Sequence, residues 1–109
     1  MIEQIVLDYL KNELDVPVHM EEQEHLNEYV VIEKTSGGEE DYIESATIAI
    51  KSYGLTLYKA AKLNEQVKAK MKRIAEIDSI GSARLNTDYN FTDITKKRYR
   101  YQAVYDLNY

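Results

Sequence analysis

Two stretches near the end of the chain constrain the fold more than anything else in it. Residues 82–91, "SARLNTDYNF", alternate between Ala83, Leu85, Thr87, Tyr89 and Phe91 on one side and Arg84, Asn86, Asp88 and Asn90 on the other. Residues 99–109 repeat the pattern, with Tyr99, Tyr101, Ala103, Tyr105, Leu107 and Tyr109 on one side. Arg98, Arg100, Gln102, Asp106 and Asn108 lie on the other, with Val104 as the exception. Period-two alternation marks strands with one buried and one wet face. Only seven residues, 92–98, join the two runs. A connection that short cannot make a parallel crossover, so the runs must pair as an antiparallel hairpin.

The rest of the chain is read outward from that hairpin. Residues 2–13 place Ile2, Ile5, Val6, Tyr9 and Leu10 at helical spacing. Pro17 stops any helix before it, and "VPVH" reads as a short extended segment. Residues 20–28, "MEEQEHLNE", show no period and read as a loop. "YVVIEKT" (29–35) is rich in β-branched residues and predicts a strand. "SGGEED" (36–41) predicts a turn or flexible loop. "YIESATIAIKSY" (42–53) predicts another strand, with Ala46, Ile48 and Ile50 on one face and Gly54 closing it. From Leu55 to about Ile77 the period is helical. Leu57, Ala60, Ala61, Asn64, Val67, Met71, Ile74 and Ala75 form the stripe, and Thr56 is the N-cap. The expected order is α-β-β-α-β-β, with a further short strand possible near Val16. This is an α+β fold: an antiparallel sheet of four to five strands packed with two helices. The length, 109 residues, suits a single domain over 1–109.

Composition narrows the function classes. The chain has no cysteine, so disulfides and thiolate metal sites are excluded. Its start lacks the pattern of a signal peptide, and no stretch approaches the roughly 20 apolar residues of a membrane span. A soluble protein made inside the cell is expected. Ten tyrosines against one phenylalanine and no tryptophan favour surfaces apolar on one side and wet on the other. Tyrosine is enriched at interfaces, although β-propensity alone also favours it. Charge is polarised within a net of −5. Residues 20–44 carry nine acids and one lysine, while 59–73 carry six bases and one acid.

Little in the sequence points to catalysis. His19 and His25 lie near Glu21, Glu22 and Glu24, but a loop without fixed geometry makes a solvated acidic segment the better reading than a metal site. The serines stand in no nucleophile context. "SGGEED" has glycines but acids where a phosphate cradle needs a lysine. Lys96, Lys97, Arg98 and Arg100 interleave with Tyr99 and Tyr101, a pattern that can stack single-stranded nucleic acid. The acidic net charge argues against that use. No enzyme, cofactor or metal is expected.

The framework "MIEQIVLDYLKNELDVPV … YVVIEKTSGGEEDYIESATIAIKSYG … LYKAAKLNEQVKAKM … LNTDYNFTDITKKRYRYQAVYDLNY" resembles small neck and tail-completion proteins of tailed bacteriophages and prophages. It is similar above all to the tail-terminator type of long, non-contractile tails. The likeness covers nearly the whole chain and rests on the combined pattern, not on a short motif. It implies a subunit that closes into a ring, commonly a hexamer. Such a ring caps the tail tube, stops its growth, and offers a surface to the head connector or stopper protein. DNA passes through without specific binding. It further implies assembly in the bacterial host cytoplasm and a final place in the virion. The alternative is a small adaptor domain that binds a protein or peptide without forming a ring.

Within the ring reading, two unlike patches of one subunit must meet around the circle. The acidic stretch 20–44 is one candidate. The helix side bearing Lys59, Lys62, Lys70 and Arg73 is the other, with Tyr105 and Tyr109 supplying apolar area. Glu21, Glu22 and Glu24, and Glu39, Glu40 and Asp41, are candidates for loops at the lumen or the tube-facing rim.

Overall fold

Ile2, Val6 and Leu10 recur every four residues, so a helix through them buries a single stripe. That helix, α1, runs Ile2–Glu13, and Leu14 turns extended ahead of Pro17. The computed structural model describes residues 1–109. Beyond Pro17 the chain makes a two-residue strand, β1 (Val18–His19), which lies parallel to Val30 and Val31 of β2 (Tyr29–Glu40). The sheet is therefore mixed, not antiparallel throughout, and the order is α-β-β-β-α-β-β. Two residues are too few to show a period, and pairing with β2 comes from tertiary packing.

β2 pairs antiparallel with β3 (Ile43–Gly54) from Tyr29↔Tyr53 out to Glu40↔Ile43. This corrects the reading of 36–41 as a loop. Gly37 and Gly38 stand in the ladder opposite Ala46 and Ser45, and the turn is only Asp41 and Tyr42. Glycine weakens a strand without forbidding it when the partner strand supplies the pairing. A register shift between Lys34 and Ser36 marks a bulge in β2, opposite the part of β3 that is still paired with β5.

β3 ends at Gly54 because α2 passes directly over it. A Cβ there would stand 2.5 Å from the Ala60 amide nitrogen, so only glycine fits. Thr56 caps α2 (Leu57–Met71), its hydroxyl accepting from the Lys59 amide at 3.1 Å. Ala60, Leu63, Asn64, Val67 and Met71 form the buried stripe. The helix is shorter than its periodicity suggests. It gives way to one 3-10 turn, Ile74–Glu76, which buries Ile74 and leaves Ala75 exposed. Leu57, at the first turn, is 40% exposed.

The last two strands are β4 (Ser82–Asn90) and β5 (Tyr99–Asn108), and the sheet order is β1-β2-β3-β5-β4. β5 is thus an inner strand, antiparallel to β3 and β4 as the short connection requires. Both helices cover the same face. There Ala103, Tyr105 and Leu107 join Ile48, Ile50, Val67, Met71 and the α1 stripe in one core.

β4 departs from its alternation. Its register shifts between Leu85, opposite Tyr105, and Thr87, opposite Val104, so Asn86 is bulged. Every side chain beyond the bulge changes face. Ala83 and Leu85 point to the helices, but Tyr89 and Phe91 do not; Asp88 takes their place. Its carboxylate accepts from Asn64 Nδ2 at 3.3 Å and from Lys68 Nζ at 3.2 Å, tying β4 to α2. On the other face Asp106 accepts from the Asn86 amide at 3.0 Å and from the Thr47 hydroxyl at 2.9 Å. These bonds, the Asn86 one foremost, hold the Asp106 carboxyl below its usual pKa.

Candidate functional site

No helix covers the second face of the sheet, yet its aromatic residues are not free. The rings of Tyr29 and Tyr53 stack at 4.4 Å with planes 5° apart. The Arg98 guanidinium lies over both, 5.6 and 5.1 Å from the ring centres. The same guanidinium donates to the carbonyls of Gln23 and Leu26 at 3.1 Å and to the Tyr29 hydroxyl at 2.8 Å. It also pairs with Glu22 at 3.4 Å. Residues 20–28, expected to be a loose loop, are thereby clamped onto the sheet. Burial, the largest influence, raises the Tyr29 pKa. An Arg98→Lys chain keeps the charge but loses the plane that lies over Tyr29 and Tyr53 and the second nitrogen that pairs with Glu22 while the first holds the carbonyls. It should lose roughly 2–3 kcal/mol of stability. Amides of residues 20–28 should exchange hydrogen much faster while the β3 amides stay protected, and unchanged exchange would contradict the clamp.

Of the basic residues in 96–101, the two arginines are engaged within the chain. Arg100 donates to the Phe91 carbonyl at 2.6 Å and the Tyr53 hydroxyl at 3.3 Å, with its guanidinium 4.5 Å from the Phe91 ring centre. Tyr101 alternates with Arg100 along β5 and lies on the other face, whereas Tyr99 lines one pocket with Lys96, Lys97 and Arg98. His19 packs edge-on against Tyr29 at 6.4 Å, and His25 is exposed. No cluster of three His, Asp or Glu side chains forms a metal-sized group.

The two most exposed large apolar side chains, Tyr42 and Ile94, stand at the two ends of a long molecule, 44 × 25 × 21 Å, while Met1 and Leu85 are exposed outside those tips. At one end the tip of the β2–β3 hairpin, residues 39–43, runs past the end of β5 as a short arm, and every residue from Glu33 to Ser45 is exposed. Its tip carries Glu39, Glu40, Asp41 and Glu44 around Tyr42, which is 97% exposed, and Ile43. At the other end the β4–β5 hairpin turns. Asp93 and Arg98 exchange backbone hydrogen bonds at 3.0 and 3.1 Å, leaving Ile94–Lys97 as the tip. Ile94 is 85% exposed and shares a shallow hollow with Leu57 and Tyr99, next to which Leu55, Lys96 and Lys97 are grouped. A pocket of ≈ 200 Å³ opens there, lined by Lys96, Lys97 and Arg98, by Leu55 and Tyr99, and by one acid, Glu24.

The structure separates the residues expected to act together. Glu21, Glu22 and Glu24 sit beside the start of β2, whereas Glu39, Glu40 and Asp41 lie at the arm tip, a strand's length away. Lys59 pairs with Glu28 of its own chain at 3.6 Å, and Arg73 with Glu76 at 3.3 Å. Lys62 is exposed; Lys70 is half-buried, its carbonyl accepting from the Tyr9 hydroxyl at 2.7 Å. Tyr105 is 4% exposed and belongs to the core, so it offers almost no surface. Tyr109 is half-buried against that core and pairs its backbone with Glu44. Sequence reasoning passed over Tyr42, Leu55, Tyr58 and Ile94. Tyr42 did carry a signal, as a lone aromatic among acids in "EEDYIE".

No helix is long and apolar enough to cross a membrane. No protein-family model and no curated protein matches the chain.

Proposed function

We propose that the chain is a non-enzymatic structural subunit of a phage or prophage tail. In this reading it is a ring-forming terminator that caps the tail tube and joins it to the head connector. The resemblance across nearly the whole sequence supplies the class. One observation in the structure supports it: the two most exposed large apolar side chains, Tyr42 and Ile94, lie in unlike surroundings at opposite ends of one elongated subunit. A closed ring needs such a pair, because each interface joins two different surfaces of the same chain. A monomeric adaptor needs only one. Clustered exposed apolar side chains also mark contact sites on soluble domains.

The reading is tested on tubes assembled from the tube protein of a long-tailed phage whose neck genes encode this chain. Added during assembly, it should stop elongation and appear by electron microscopy as a ring at the tube end. Tubes that lengthen as they do without it, with bare ends, would overturn the proposal.

A further inference from the structure

We infer that the acidic arm of one subunit docks, by its tip, on the basic hairpin end of a second copy of the chain. This deepens the ring reading and rests on it. The tip and the receiving end match in charge and in apolar content. Four carboxylates, Glu39, Glu40, Asp41 and Glu44, flank Tyr42, and no lysine or arginine lies between Thr35 and Ile50. The receiving end offers Lys96 and Lys97 beside Leu55 and Tyr99, with Glu24 the one acid in that pocket, and Ile94 lines the adjoining hollow on Tyr99. Arg98 takes no part, because its guanidinium is occupied by residues 22–29.

The arm cannot reach its own receiving end. Tip and end lie at opposite termini of β3, whose twelve residues span roughly 35 Å at strand rise. A rigid paired strand does not fold back on itself, so the occupant is another molecule. The contact is head-to-tail, the geometry from which rings close.

The turn itself argues that Tyr42 serves a contact and not the fold. Asp41 and Tyr42 have φ of 51° and 66°, both left-handed. A two-residue turn with positive φ at both positions favours Asn-Gly or Asp-Gly, where glycine carries no Cβ strain. Tyrosine stands there strained and, at 97% exposure, buries nothing within its own subunit. Buried in a partner's pocket, a tyrosine gains both apolar area and a hydroxyl partner.

The chain has no native cysteine, so introduced ones report contacts cleanly. Differently tagged Tyr42→Cys and Ile94→Cys chains are mixed and oxidised. The mixed disulfide should form about tenfold faster, or more, than between Tyr42→Cys and a control Lys11→Cys on exposed α1. In parallel, Tyr42→Gly should melt no lower than the parent yet self-associate about tenfold more weakly. Equal cross-linking rates, or a Tyr42→Gly chain that associates normally, overturn the docking. Rings whose two cysteines never pair leave the ring reading standing and the docking refuted. Cross-links that give only open ladders do the reverse.

Discussion

A chain ending at residue 98 should show no cooperative unfolding transition. β5 is not a terminal appendage: it pairs with β3 from Ser45 to Gly54 and with β4 from Ser82 to Asn90. Removing it strands two neighbours without partners and takes Ala103, Tyr105 and Leu107 from the core. Burying one large apolar side chain contributes about 1.5–3 kcal/mol. Each lost ladder bond adds about 0.5–1.5 kcal/mol net. Over ten strand residues the sum exceeds the 5–15 kcal/mol that holds a typical domain folded. Far-ultraviolet circular dichroism during heating checks this, and a sigmoidal melt of the truncated chain would contradict it.

Raising the pH from 10 to 12 should remove a large part of the remaining stability. Burial pushes the Tyr105 hydroxyl from its ordinary 10.0 up to about 12. The folded state keeps the phenol neutral while the unfolded chain ionises near 10. Its contribution is therefore complete below pH 10 and lost as pH rises through 12. A shift of this size corresponds to roughly 2–3 kcal/mol. Tyr9 and Tyr29 are also raised, chiefly by burial, and the Lys68 ammonium is raised by its hydrogen bond to Glu65. Tyr105→Phe should thus flatten the alkaline fall without abolishing it. Urea melts across this range measure the difference; superimposable pH profiles for the two proteins would exclude Tyr105 as a source.

Both expectations rest on the part of the fold that the sequence made legible. The hairpin of 82–108, the α1 stripe, the Thr56 cap and the buried face of Ala46, Ile48 and Ile50 follow from period and capping chemistry. Other features lacked a local signal. The two-residue strand after Pro17 is defined only by its parallel neighbour. Gly37 and Gly38 read as turn residues because glycine's preference is weaker than the pairing that overrides it. In β4 the run Ala83, Leu85, Thr87, Tyr89, Phe91 looks like one face, yet threonine and tyrosine tolerate either side. The informative residue was Asn64, a polar side chain in the α2 stripe that required a partner, which the bulge delivers as Asp88.

The candidate surfaces were less legible than the fold. Alternation separates the arginines of the last strand from its tyrosines, but nothing local shows that Arg98 reaches carbonyls more than 70 residues away. Charge counting treated 20–44 as one acidic patch. Strand geometry splits it between a clamped loop and a free arm tip. The same counting assigned the basic partner surface to α2 and the residues just after it, where Lys59 and Arg73 already pair within their own subunit.

Closure into a ring is measured most directly by native mass spectrometry over a concentration series, with and without tail tubes. The expected result is conversion of the 12.7 kDa subunit into one larger species of fixed stoichiometry, a hexamer by the resemblance, with no growing ladder of intermediates. A subunit mass at every concentration, with tubes present as well as absent, would contradict it, as would an open-ended series of oligomers.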